Sequence, residues 1–238
     1  MALSLSLRSR PARIRAVSAA PRLATPTAAA LLFCAAAGGT PAMGLAQAPR
    51  ASAPSASAVV AAADRGRISG AESARVWVLV VSDFQCPFCR QWHRDTWEPL
   101  RREYVANGKV RVAFMNFPLG QHPNARPAAV AAMCASAQGR FWQFADLVFA
   151  QQDRWKDLRD PQAFFDGLSR SAGVDLAKAK LCAGDPGIAA LVDADYTRMS
   201  RAGTQSTPTF FIGRSRIEGA QPIAEFRKVI EAELAGKK

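Results

Sequence analysis

A chain of 238 residues, 49% of them apolar, suits one domain, or one domain carrying an insertion, with a sizeable core. Its formal charge of +12 is front-loaded: Arg8, Arg10, Arg13, Arg15 and Arg22 all precede the first acidic residue, Asp64. Without those five, 26 basic residues face 19 acidic ones, scattered and without an aromatic-interleaved basic patch, which argues against nucleic-acid binding.

The leader comes first in chain order. Its arginines precede a short apolar run from Ala28 to Ala37, and Gly44-Leu45-Ala46 offers a small-x-small cleavage site. The run is too short to cross a bilayer, which takes about 20 apolar residues. Residues 1–46 therefore read as a secretory signal peptide. A lipoprotein signal at Cys34 and an organellar transit peptide are the rival readings. Residues 47–70, rich in Ala, Ser and Pro, read as a low-complexity linker. The expected domain occupies 71–238.

Val76 to Val81 is a continuous β-branched run, expected as a strand buried on both faces. Cys86-Pro87-Phe88-Cys89 follows at once. Cys89, Trp92, Trp97, Leu100 and Tyr104 then repeat at helical spacing until Asn107-Gly108. Val110 to Met115 predicts a second strand, completing a β-α-β unit. Amphipathic faces then predict an inserted helical subdomain over about 120–203. They begin with an alanine-rich stretch at 126–137 and continue through Phe141, Phe165, Leu176 and Ile188. Pro208 to Gly213 returns to strand, Gly213-Arg214-Ser215 predicts a hairpin turn, and Ile223, Phe226, Ile230 and Leu234 mark a last helix. The fold class is α/β.

Disulfide exchange needs a thiolate and a second thiol within closing distance. A Cys-x-x-Cys at a helix N-terminus supplies both, because unpaired N–H groups and the macrodipole favour an anionic sulfur there. Cys86 is thus expected to be the exposed, attacking thiol and Cys89 the buried, resolving one. Pro87 suits the first helical turn. A structural disulfide across so short a loop restrains little chain entropy. Metal carriage through Cys86, Cys89 and His93 is the alternative of another class, but only His122 remains to complete a ligand set, and His93 reads as a helix-surface residue. No metal and no cofactor is expected. Cys134 and Cys182 are candidates for a structural disulfide between inserted helices; two separate buried thiols are the other reading. Thr207-Pro208 before an apolar strand reads either as an ordinary strand start or as a cis bond presenting an edge to an extended substrate.

Ser82-Asp83-Phe84-Gln85-Cys86-Pro87-Phe88-Cys89, Phe117-Pro118-Leu119, Phe141-Trp142 and Thr207-Pro208-Thr209-Phe210-Phe211-Ile212-Gly213 together resemble the DsbA-like thioredoxin-fold proteins, from about Val76 to Leu234. The resemblance implies a thioredoxin core with a helical insertion, Cys86 as nucleophile, Cys89 as resolving residue and a cis-proline at Pro208. It also implies cysteine-containing polypeptide substrates and a membrane redox partner. Two departures stand out. The buried acid that many relatives carry six positions before the first cysteine is Val80 here. The histidine of the best-known oxidases is Phe88, whose apolar ring is expected to disfavour the anion by displacing water. The reading is a periplasmic thiol–disulfide oxidoreductase that oxidises dithiols, with reductase or isomerase as the alternative. It is expected to be a monomer, since the chain ahead of the first strand is too short for a separate dimerisation domain.

Overall fold

The computed structural model of the chain describes residues 56–236, so the signal peptide expected over 1–46 lies outside the described residues. Strands β1 (Ile68–Ser69), β2 (Val76–Ser82), β3 (Val110–Asn116), β4 (Thr209–Ile212) and β5 (Ser215–Glu218) form one sheet in the order β1-β3-β2-β4-β5. β2 and β3 run parallel, in register from Val76↔Val110 to Ser82↔Asn116, and all other neighbours are antiparallel. A parallel pair needs a crossover. The helical run 87–105 supplies it.

Alternation along the strands decides which face each side chain enters. Val76, Val78, Val80, Val110, Val112, Phe114, Phe210 and Ile212 join the main core. There they meet Trp92 and Leu100 of the crossover, and Phe226 and Ile230 of α10 (Ile223–Leu234). The opposite face holds a smaller cluster of Val81, Met115, Phe117 and Met199. The expectation that β2 is buried on both faces holds only at its C-terminal end. Trp77, at the open end, is 38% exposed, with the Arg111 guanidinium 4.8 Å above its ring.

Residues 56–69 are not a linker. Ala56–Gly66 forms helix α1, and Ile68–Ser69 pairs antiparallel with β3. The small residues that resemble low complexity in sequence allow close packing in space. Ala63 is fully buried, the Ser136 hydroxyl donates to its carbonyl at 2.5 Å, and a Cβ on Gly66 would collide with the Ser136 backbone. Arg67 then locks the segment down. Its guanidinium is buried and pairs with Asp195, which also accepts from the backbone and side-chain N–H groups of Asn116.

The run 87–105 is not uniformly α-helical. α2 (Pro87–Trp92) and α3 (Glu98–Leu100) alternate with wider π-type turns at His93–Trp97 and Arg101–Val105. Pro99 is the physical reason for the first, because a mid-helix proline lacks an N–H and crowds the carbonyl four residues back.

Between β3 and β4 stand α4 (Ala125–Ser136), α5 (Phe141–Ala150), α6 (Gln152–Trp155), α7 (Gln162–Ser171), α8 (Leu176–Ala183) and α9 (Pro186–Arg201). These six helices are the inserted subdomain expected over about 120–203. Asp175 and Asp185 cap α8 and α9 by accepting backbone N–H groups of their first turns. Cys134 and Cys182 are bonded to each other, joining α4 to α8 across a sequence separation of 48. Gly213 takes φ +55° in the turn between β4 and β5, where Ile212 faces Ser215.

Candidate active site

The first turn of α2 carries both free cysteines of the described residues. Cys86 is its N-cap residue, with extended backbone (φ −71°, ψ 125°), and Pro87 follows at the first helical position. Cys89, one turn on, is fully buried. The Cys86 thiol donates to the Thr207 carbonyl at 3.3 Å, and the Thr207–Pro208 bond is cis. The two segments singled out in the sequence, more than a hundred residues apart, therefore meet at one sulfur.

Electrostatics divide the two thiols. Cys86 is brought down from 9.0 to about 6, chiefly by a hydrogen bond from Cys89. The Thr207 side chain and the backbone N–H groups of Cys89 and Phe88 help, all against the opposing effect of burial. Cys89 is pushed well up, first by burial and then by its neighbour Cys86. The Asp83 amide and the Ser82 hydroxyl pull the other way. Cys86 is thus the acidic thiol but not an open one, being only 3% exposed. The expectation of an exposed sulfur overlooked the Thr207 segment that covers it. Phe88 is 60% exposed, so its ring points to solvent rather than drying the sulfur.

Several residues of this site carry no obvious signature in sequence. Asp83 is buried, and its carboxylate accepts from the backbone N–H of Gln85 at 2.7 Å and of Leu119 at 2.9 Å. It also meets His122 Nδ1 at 2.7 Å. Its own backbone N–H donates to Cys89 Sγ at 3.4 Å, and its carbonyl accepts from Cys86 N–H at 3.1 Å. Gln152, from the insertion, donates to the carbonyls of Phe84 and Cys86 at 2.7 and 3.1 Å. The Gln85 side chain donates to the Lys156 carbonyl and accepts from Asn124 N–H. The catalytic loop is therefore tied to the helical subdomain by amides. Asp83 and Gln85 lie inside the cysteine motif, where they were visible but unassigned; Gln152 gave no signal.

His93 is buried rather than on the helix surface, its Nε2 at 2.7 Å from Asp146 Oδ1 and its ring against Phe149. Among the described residues no cluster of three or more His, Cys, Asp or Glu side chains is arranged to hold a metal ion. Val80, six positions before Cys86, is fully buried in the apolar core.

The family profile described as Thioredoxin matches residues 62–232. The chain is 24% identical over 173 residues to disulfide bond formation protein D of Bacillus subtilis, covering 71% of this chain and 78% of that protein. It is 30% identical over 175 residues to the Na(+)/H(+) antiporter NhaA 1 of Salinispora arenicola, covering 73% of this chain. The chain spans about a quarter (25%) of that relative's length. Among solved structures, oxidised BdbD from Bacillus subtilis is similar with a TM-score of 0.65 at 22% identity. The match covers 72% of this chain and 95% of that one. Alpha-DsbA1 from Wolbachia pipientis is similar with a TM-score of 0.64 at 21% identity, covering 71% and 91%.

Proposed function

Because the chain belongs to the thioredoxin family, in its DsbA-like form, we propose that it is a thiol–disulfide oxidoreductase exchanging disulfides through Cys86 and Cys89. The observation that carries this is the pair of unequal thiols at one helix N-terminus, Cys86 acidic at about 6 and Cys89 buried beneath it. A low-pKa first thiol supplies the thiolate at neutral pH and is also a good leaving group. In the direction we propose, the oxidised protein accepts a client thiolate at Cys86 and releases Cys89. A second client thiolate then expels Cys86, so the client leaves with the disulfide. Thr207 and Pro208 would hold the client chain beside Cys86, and a membrane redox partner would restore the protein disulfide.

The named Bacillus relatives support the oxidising direction, and the leader sequence supports action in the periplasm. The test uses full-length protein, oxidised beforehand and mixed with a reduced, unfolded polypeptide bearing two cysteines. Stoichiometric transfer of the disulfide, abolished by Cys86→Ser, is expected. Failure to oxidise the client, together with rapid reduction of a disulfide-bonded one, would reverse the direction. Fractionation should recover a mature chain beginning after Ala46 in the osmotic-shock fluid, and light scattering should report one chain per particle.

A further inference from the structure

Two buried hydroxyls in the active site have no hydrogen-bond partner in the dithiol protein: Thr207 Oγ1 and Ser82 Oγ. The first becomes a donor to Cys86 only when that sulfur is an anion. The second so far only favours an anion on Cys89. Ser82 ends β2 and is 2% exposed. It sits opposite Asn116 in the ladder, and its carbonyl accepts from Phe117 N–H at 2.9 Å. The adjoining amide, Asp83 N–H, already reaches Cys89 Sγ at 3.4 Å, so the sulfur rests against the 82–83 peptide. That peptide is held from the other side as well, because the Asp83 carboxylate is tied to Gln85, Leu119 and His122.

Cys89 is where the chemistry most needs help. When a client thiolate forms a bond to Cys86 Sγ, the Cys86–Cys89 bond breaks and Cys89 departs with the electron pair. When a second client thiolate forms the client disulfide, Cys86 departs in the same way. Of the two client protons, one finishes on Cys89 and the other passes mostly to solvent, because Cys86 stays largely an anion at neutral pH. An anion must therefore appear on a sulfur that no water reaches, where unsolvated charge is costly. Val80 offers no polar group there.

We propose that Ser82 is a catalytic residue whose hydroxyl donates a hydrogen bond to the Cys89 sulfur while that sulfur is an anion. It serves Cys89 as leaving group in one direction and as nucleophile in the other. The idle state of the hydroxyl in the dithiol form fits this: a neutral thiol asks little of it, and a thiolate much. Ser82 neither takes nor gives up a proton. It replaces the missing solvent.

The proposal rests on the exchange chemistry above, and one experiment separates the two. Protein beginning at Gln47, and so without Cys34, is reduced at Cys86–Cys89 and mixed with equimolar dithiobis-nitrobenzoate, a disulfide whose released thiolate is coloured. Cys86 thiolate attacks first and releases one equivalent. Cys89 thiolate then attacks Cys86 Sγ and releases the second, closing the protein disulfide. In Ser82→Ala the first release should be unchanged and the second about threefold to tenfold slower. This is a charge-assisted hydrogen bond partly offset by the greater nucleophilicity of the less stabilised thiolate. The reduction potential against glutathione should stay where it is, because at neutral pH neither the disulfide nor the protonated Cys89 thiol carries an anion there. Ser82→Thr, which keeps the hydroxyl, should restore the second release. An unchanged second release in Ser82→Ala, or a slowed one accompanied by a shifted potential, would overturn the proposal. No first release at neutral pH in the wild type would instead overturn the oxidoreductase reading.

Discussion

Replacing Thr207 with valine removes one hydroxyl at nearly constant shape, which makes it the sharpest probe of what holds the Cys86 anion. The fall from 9.0 to about 6 amounts to about 4 kcal/mol favouring the thiolate. Four donors share it: the Cys89 thiol, the Thr207 side chain and the N–H groups of Cys89 and Phe88. An even share of that net figure is about 1 kcal/mol for Thr207, so the titration midpoint should rise by about 0.7 pH unit. At pH 7 the thiolate fraction would then drop from roughly nine-tenths to roughly two-thirds. The dithiol form would lose about 1 kcal/mol, and the reduction potential would fall by about 20 mV. Absorbance of the thiolate against pH gives the midpoint, and equilibration with glutathione gives the potential. The sign is fixed by the lowered pKa: the anion persists at neutral pH and is lost as pH falls through about 6, so alkylation of the wild type should slow below that point. A midpoint in Thr207→Val equal to the wild type's would refute the role of the hydroxyl. A wild-type midpoint near 9 would refute the whole array.

Phe88→His should raise the potential, but at a site 60% exposed an imidazolium is screened, so the expected rise is on the order of 10 mV; a fall would show that the residue acts through packing. Cys134→Ala with Cys182→Ala should lower the unfolding free energy by up to about 4 kcal/mol in urea, the chain-entropy value for a loop closed over a separation of 48. The unreduced, denatured mature chain, without Cys34 and with Cys86–Cys89 oxidised, should show no free thiol. Asp195→Ala strips the buried Arg67 of its inner partner and should cost about 3–5 kcal/mol, read by the same urea titration. A change below 1 kcal/mol would mean that Asp64 alone satisfies the guanidinium.

Local pattern determined much of this protein. A β-branched run and an alternating stretch predict β2 and β3, and apolar faces predict the helices of the insertion except the short α6, while β1 escapes notice. A Cys-x-x-Cys placed straight after a strand must top a helix, because Pro87 can only begin one. These are properties of neighbours along the chain, and sequence displays neighbours. Residues 56–69 went the other way. Their Ala, Ser and Pro composition hides a short helix in sequence, and only α4, brought beside it by the fold, shows it packed. The π-type turns around Pro99 likewise became visible only with the backbone in place.

The active site shows the same division. Cys86, Cys89, Thr207 and Pro208 could be singled out from motifs, but their relation could not. That the Thr207 carbonyl covers the Cys86 sulfur, and so buries a thiol expected to be open, depends on β4 lying beside β2 in the sheet. Gln152 reaches the Cys86 carbonyl, and His122 meets Asp83, across 66 and 39 residues of chain. Spacing of that length carries no period, since the partners are chosen by packing of the insertion against the sheet. Sequence could therefore name the sulfurs and their chemistry. Only the tertiary structure decides which donors surround each one, and the free energy of a thiolate is set by those donors and by the water they displace.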